Sequence, residues 1–398
     1  MTIRAPHLRD VFASRRSLLG GLAGLPLIHL AGCASSHRSA PQQGAALGFT
    51  SVPATTADTI TVPEGYRWRT LIAWGDALFE DMARFDPDAL TRAEQENRFG
   101  ASNDMLAHFP PQFVFPPPTD SDRLILCVNN EELRIELMFP RVRRMSEFTP
   151  AQIEAAFASL GVTVLDLERE DGEWRVVKGA APGCGHNRRI TPFTPVIFTG
   201  PAANHPWILE AARIVNATEP GPEGSVRCGT LANCAGGQTP WGTYLTAEEN
   251  FQAYFFGVRA VRDAAYAQDA ASQRYPNPGA PDALLPPAFR YSENPTGPAL
   301  YGWIVEIDPY DPGATPRKRT ALGRKKNECA NTALTADGRV AVYMGDDQAN
   351  EHVYKFVTRG RFDPHNRAAN MDLLDEGQLY CARFEADGTG SWIALTLE

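Results

Sequence analysis

Cys234 sits in a glycine-rich turn, and the short aromatic and β-branched stretch after it ends in a carboxylate pair, Glu248-Glu249. A thiol suits iron and other borderline or soft metals. Carboxylates suit hard cations and proton transfer. The carboxylate arrangement occurs three times. Leu124-Ile-Leu-Cys-Val128 runs into Asn129-Asn130-Glu131-Glu132, Thr243-Tyr-Leu-Thr246 into Ala247-Glu248-Glu249-Asn250, and Val340-Ala-Val-Tyr-Met344 into Gly345-Asp346-Asp347. Glu306 interrupts the otherwise apolar Trp303-Ile-Val-Glu306-Ile307, and Glu328 stands just before Cys329. A charge inside such a strand is costly unless it is paired or binds a metal. Carboxylates meeting at one place repel and raise one another's pKa values unless cations hold them. Taken singly, each pair reads equally well as a solvated turn, and Cys234 as a small buried hydrophobe. The recurrence points instead to a shared site of oxygen ligands for Ca²⁺ or Fe³⁺, with the Cys234 thiolate as a softer ligand suited to iron.

Short strands must position these groups. The 32 prolines and 33 glycines punctuate the chain throughout. Strands are expected over 66–72, 123–128, 162–167, 174–177, 194–198, 241–246, 302–307, 340–344, 352–357, 379–384 and 391–395. Helices are expected over 150–160, with Thr149 as N-cap, over 207–215 and over 250–271. Asp171-Gly172, Asp337-Gly338 and Asp387-Gly388 each open a turn onto a strand, a weak blade-like repeat. The expected fold is all-β, a β-propeller with few short helical insertions. In a propeller, equivalent strand ends from successive blades meet around the central channel.

Charge and cysteine usage exclude some functions. The chain carries 38 Lys and Arg against 47 Asp and Glu, a net charge of −9. Nucleic acid is therefore no expected partner. An anionic substrate would be repelled at long range unless bound cations reverse the field locally. Seven cysteines show no CxxC spacing, which disfavours a zinc ribbon. His108, His186, His205, His352 and His365 are scattered without metal-ligand spacing.

The N-terminus reads as an address. Ser14-Arg15-Arg16-Ser17-Leu18-Leu19 is a twin-arginine pattern, followed by an apolar run broken by Gly20, Gly21, Gly24 and Pro26. Leu30-Ala31-Gly32-Cys33 completes it as a lipobox, with Cys33 as the lipidated residue. Residues 1–33 are read as the signal, 34–58 as a flexible tether and 59–398 as the propeller domain. Export by the twin-arginine route and a lipid anchor on the periplasmic side of a membrane follow. The outer membrane is preferred, because Ala34 rather than Asp follows Cys33.

Asn233-Cys234-Ala-Gly-Gly-Gln-Thr-Pro-Trp-Gly-Thr-Tyr-Leu-Thr-Ala-Glu248-Glu249-Asn250 resembles the central signature of the PhoX-type alkaline phosphatases. Phe99-Gly-Ala-Ser-Asn-Asp104, Val128-Asn-Asn-Glu131, Asn187-Arg-Arg-Ile-Thr191, Gly302-Trp-Ile-Val-Glu306-Ile-Asp-Pro309, Glu328-Cys-Ala-Asn331 and Tyr343-Met-Gly-Asp-Asp-Gln348 resemble the same family in order. The resemblance implies a β-propeller phosphomonoesterase, acting outside the cytoplasm on small phosphorylated substrates. It implies a mixed iron and calcium centre whose metals hold the phosphate oxygens. Cys234 would be the iron thiolate, with Glu131, Glu248, Glu249, Glu306, Glu328 and Asp347 as carboxylate ligands. Cys234 and Glu328 would be the catalytic residues, in a monomeric protein. Two positions depart from the family pattern: Asn130 and Asn327 stand where the family commonly has His before Glu, and Asn cannot act as an acid near neutral pH. Family members also run longer than this chain, so a propeller incomplete at its C-terminal side is expected.

Arg188-Arg189, Arg317-Lys318-Arg319 and Arg324-Lys325-Lys326 read as solvated loops, or as phosphate contacts if they turn inward. A second reading of the whole chain remains: a non-catalytic, metal-binding propeller lipoprotein.

Overall fold

The computed structural model describes residues 48–139, 141–142, 147–255, 265 and 285–396. The signal, Cys33, residues 34–47 of the tether and most of the helix expected over 250–271 lie outside the described residues. The chain divides into two units, Met1–Arg69 and Thr70–Glu398. In the first, Phe49 meets Tyr66 edge-on, with ring centroids 5.8 Å apart. The strand expected over 66–72 does not form, and Tyr66 and Trp68 are exposed.

The second unit is mostly strand, in three sheets. In the first, β1 (Asn103–Phe109), β2 (Arg123–Asn130), β3 (Gly161–Glu170) and β4 (Glu173–Val177) follow one another antiparallel, and β5 (Arg188–Ile190) adds to β3. Asp171 and Gly172 both take positive φ, the backbone a two-residue hairpin between β3 and β4 requires. The second sheet comprises β6 (Pro195–Thr199), β7 (Val226–Arg227), β8 (Asn233–Gln238), β9 (Tyr244–Glu248), β10 (Ile304–Ile307) and β11 (Arg317–Arg319). Its order is β7-β6-β11-β10-β9-β8, with β6 and β11 parallel. The third sheet is a meander of β12 (Asn331–Leu334), β13 (Arg339–Gly345), β14 (Val353–Arg361), β15 (Gly377–Phe384) and β16 (Gly390–Ala394). The expected strands from 123 onward recur here with boundaries moved by a few residues. Six short strands were not anticipated: β1, β5, β7, β8, β11 and β12. All but β1 span six residues or fewer, and β8 is Gly-rich, so neither length nor alternation marks them.

Apolar layers separate the sheets. Ala107, Ile125, Cys127 and Val164 of the first sheet pack on Tyr244, Val305 and Ile307 of the second. Leu245, Ala247 and Ile304, on the other face of the second sheet, pack on Val340, Val342 and Phe356 of the third. A third cluster gathers the helix Pro150–Ala158, the helix Pro206–Thr218 and the aromatic residues Phe251, Phe255, Phe289 and Tyr301. Thr149 caps the first helix as read from sequence: its hydroxyl accepts from the Gln152 N–H while Gln152 accepts from the Thr149 N–H.

One edge strand of each sheet, β1, β8 and β12, meets the next, β8 lying between the other two. Gln238 donates to the His108 carbonyl at 2.8 Å, and the Ala330 N–H donates to Gly236 at 3.0 Å. The close approach of β12 to β8 depends on glycine: a Cβ at Gly237 would lie 2.1 Å from the Ala330 carbonyl oxygen. The six described cysteines are free thiols. No helix among the described residues is long and apolar enough to cross a membrane.

Candidate metal centre

The same local construction appears in the first two sheets. In the first, Ser102 takes a positive φ and its carbonyl accepts from the Glu131 N–H at 2.9 Å. In the second, Ala232 takes a positive φ and its carbonyl accepts from the Glu249 N–H at 2.9 Å. Two residues beyond these bends stand Asp104 and Cys234. Each lies where the pairing register slips, between Asn103 and Leu106 on β1 and between Asn233 and Gly236 on β8. Such bulges re-aim a side chain, and left-handed backbone at a non-glycine residue persists only where its surroundings impose it. The result is two matched pairs at one mouth of the sheets: Asp104 with Glu131, and Cys234 with Glu249.

These pairs meet. One ligand atom each from Asp104, Glu131 and Cys234 lies within 4.8 Å of the others, all three residues half-buried. Glu131 hydrogen-bonds to Asp104 and Glu249. Glu249 in turn hydrogen-bonds to Cys234 and to Asp347, which lies just beyond β13 of the third sheet. Burial, then the charges of Asp104 and Glu132, push the Glu131 carboxyl up to about 7. Burial, followed by the hydrogen bond to Asp347 and the charges of Asp347 and Glu131, pushes Glu249 up to about 8. Burial and the neighbouring Glu249 and Asp104 hold the Cys234 thiol well above its ordinary range. Without a cation the group must share protons; a cation would replace them. Four carboxylates and one thiol make a hard oxygen set with a single softer ligand, which fits a calcium- or iron-type centre.

Asn129 holds the two halves together. Its buried amide donates to the Cys234 carbonyl at 2.5 Å and to Ala235 at 3.0 Å, and accepts from the Tyr244 and Thr246 hydroxyls, both at 2.8 Å.

The structure places Glu131, Cys234, Glu249 and Asp347 next to one another. Glu328 lies beside them rather than among them. Its carbonyl accepts from the Ala235 N–H at 3.0 Å, but its side chain is exposed and outside the Asp104–Glu131–Cys234 group.

Glu248 and Glu306 are elsewhere. Glu248 is fully buried, 2.7 Å from the Lys318 ammonium, and accepts from the Gly302 and Trp303 N–H groups. Glu306 accepts from Trp241, Thr243 and Arg319, with the Arg319 guanidinium 2.6 Å away. The charge inside the apolar strand is answered by an ion pair, which occupies the oxygens a metal would need. Lys318 and Arg319 are adjacent on β11 and point to opposite faces of the second sheet, each to one carboxylate.

The basic segments are therefore not solvated loops. Lys318, Arg319, Lys325 and Lys326 are buried. Arg189 is also buried, and donates to the carbonyls of Ala158, Ser159 and Leu160 and to Asn130. Arg188 donates to the Asp308 carbonyl at 2.5 Å. Both Asn residues that depart from the family pattern are interior struts: Asn130 binds Arg189, Thr163 and Asn103, and Asn327 donates to the carbonyls of Gly302 and Lys325.

Asp104 was not among the residues expected here, because it is not part of a strand-end pair. The signal that marks it is the parallel between Ser102-Asn103-Asp104 and Ala232-Asn233-Cys234, which open β1 and β8 in the same way.

A family model described as alkaline phosphatase PhoX matches residues 47–398. Among solved structures, the chain is similar to Pseudomonas fluorescens PhoX in complex with vanadate, a transition state analogue. The two share 38% identity and a TM-score of 0.74 over 88% of this chain and 58% of that one. The chain thus spans less than two thirds of that relative's length. No curated protein matches.

Proposed function

The chain belongs to the PhoX alkaline phosphatase family, and from that premise we propose that it is a metal-dependent phosphomonoesterase acting on small phosphorylated substrates. One observation carries the reading: Asp104, Glu131 and Cys234, drawn from two sheets, offer ligand atoms within 4.8 Å of one another. The similar structure's bound vanadate, a transition state analogue, supports phosphoryl chemistry in the family.

We assign iron and calcium to the centre on the donor chemistry, with Cys234 as the iron thiolate and Asp104, Glu131, Glu249 and Asp347 as oxygen ligands. Bound cations would offset the negative charge of the phosphoester oxygens, which this acidic chain otherwise repels. The chain's own residues provide the frame. Asn129 fixes the Cys234 backbone against the first sheet, and the bends at Ser102 and Ala232 aim the ligand pairs at one mouth. Glu328, exposed beside the cluster, is the group available to move a proton or to complete a ligand shell. Neither Asn130 nor Asn327 is assigned a proton-transfer role, since both amides are held by interior partners.

We further propose export by the twin-arginine route and a lipid anchor on Cys33 at the periplasmic face of the outer membrane, with the chain acting as a monomer. The test of the activity is hydrolysis of a chromogenic aryl phosphate by the purified chain. Cys234→Ala and Glu328→Gln should each lower kcat by orders of magnitude. Full activity in Cys234→Ala would overturn the assignment of the centre.

A further inference from the structure

Lys325 is a buried lysine whose amine forms no ion pair with a carboxylate among the described residues. It is 5% exposed, and its Nζ donates to the Leu322 carbonyl at 2.9 Å and lies 3.5 Å from Met344 Sδ. The Tyr354 ring is 5.1 Å away. An ammonium has three N–H donors, and one carbonyl and one thioether satisfy them incompletely. Burial pulls its pKa down to about 7, against the smaller opposing charges of Asp346 and Cys329.

This ammonium borders a cavity of about 310 Å³ whose wall also holds Lys326, Gln348, Asp346, Glu351 and Tyr354. Lys326 is itself 4% exposed and donates to Gln348 within the same wall. Gly323, in left-handed backbone at φ 83°, also lines the cavity. A buried cation facing an open volume is stabilised by an anion that brings its own charge to the remaining N–H.

We infer that this cavity, whose wall includes none of the five cluster residues although Asp346 and Gln348 flank Asp347, is an anion site that takes a small protonated oxyanion of the phosphate class on Lys325 and Lys326. The protonation matters because Asp346 and Glu351 share the wall. A hydroxyl on the anion donates to a carboxylate, whereas a fully deprotonated oxyanion such as sulfate meets only repulsion there. The site does not rest on the phosphatase reading, and its test does not use turnover.

The experiment is calorimetric titration of inorganic phosphate into the chelator-washed full chain carrying Cys234→Ala, which removes the thiol of the metal cluster. One phosphate should bind, with sulfate at least tenfold weaker. Adding Lys325→Met should weaken phosphate at least tenfold. Absence of phosphate binding, equal affinity for sulfate, or an affinity indifferent to Lys325→Met would each overturn the site. Should Lys325→Met fail to fold, Lys326→Gln carries the test: several-fold weaker phosphate binding supports the site and unchanged binding overturns it.

Discussion

Asn129 reaches from the first sheet to the second and donates to the carbonyl oxygen of Cys234 at 2.5 Å. Glu131 follows it by two residues, so this one amide sets the distance between a carboxylate and a thiol that lie on different sheets. Asn129→Leu would leave two carbonyls and the hydroxyls of Tyr244 and Thr246 without this partner. A loss of about 2–4 kcal/mol is expected, on the scale of one or two unsatisfied buried groups. Denaturant unfolding measures it, and metal content should fall in parallel. A variant as stable and as metal-rich as the parent would show that the clamp positions nothing.

The carboxylates divide into structural and ligand groups, and substitution should separate them. Glu248→Gln leaves the buried Lys318 ammonium uncompensated, at a cost of about 3–5 kcal/mol. The double variant Glu248→Gln with Lys318→Met should recover much of that loss. Glu131→Gln should instead leave the metal-free fold unharmed and abolish metal retention, because it removes a carboxyl that burial already disfavours as an anion. Thermal unfolding with and without chelator distinguishes the two outcomes.

The pH dependence of the metal-free chain follows from Glu131 and Glu249, held up to about 7 and about 8. Both folded values exceed the ordinary carboxylate value of about 4.3, so the folded state holds more protons than the unfolded state in this interval. Their contribution to stability is complete below about pH 4 and is lost as pH rises through about 7 to 8. Chelated protein should therefore melt at lower temperature near pH 9 than near pH 6. Bound cations replace those protons and should flatten the profile. Parallel profiles with and without metal would contradict the placement of these groups at a cation site.

The approach of the third sheet depends on Gly237, where a Cβ would clash with the Ala330 carbonyl. Gly237→Ala should force β8 and β12 apart and draw Asp347 away from Glu249. The expected result is loss of metal with little change in secondary structure, read by elemental analysis beside far-ultraviolet circular dichroism. Retained metal would mean that the third sheet contributes no ligand.

Much of this arrangement was legible in the residues. Carboxylates after Val128, Thr246 and Met344 marked strand ends, because an apolar run that stops at paired acids leaves the core there. The thiol of Cys234 was visible for its glycines. What local pattern could not carry was partner choice across the sheets. Glu248 and Glu249 are neighbours in sequence, yet alternation along the chain turns one to Lys318 in the interior and the other to the cluster. Lys318 and Arg319 looked like a solvated basic loop because nothing nearby in sequence announces Glu248 or Glu306 as their partners. Asp104 stayed hidden because a single acid at a bulge has no pattern of its own, only a counterpart at Cys234.

The central claim is that Asp104, Glu131, Cys234, Glu249 and Asp347 together hold metal. Elemental analysis of the purified chain, against the Glu131→Gln and Cys234→Ala double variant, tests it most directly. Stoichiometric iron and calcium in the parent, with iron lost from a folded double variant, is the expected result. A metal-free parent, or a double variant that keeps the same metals, would contradict it.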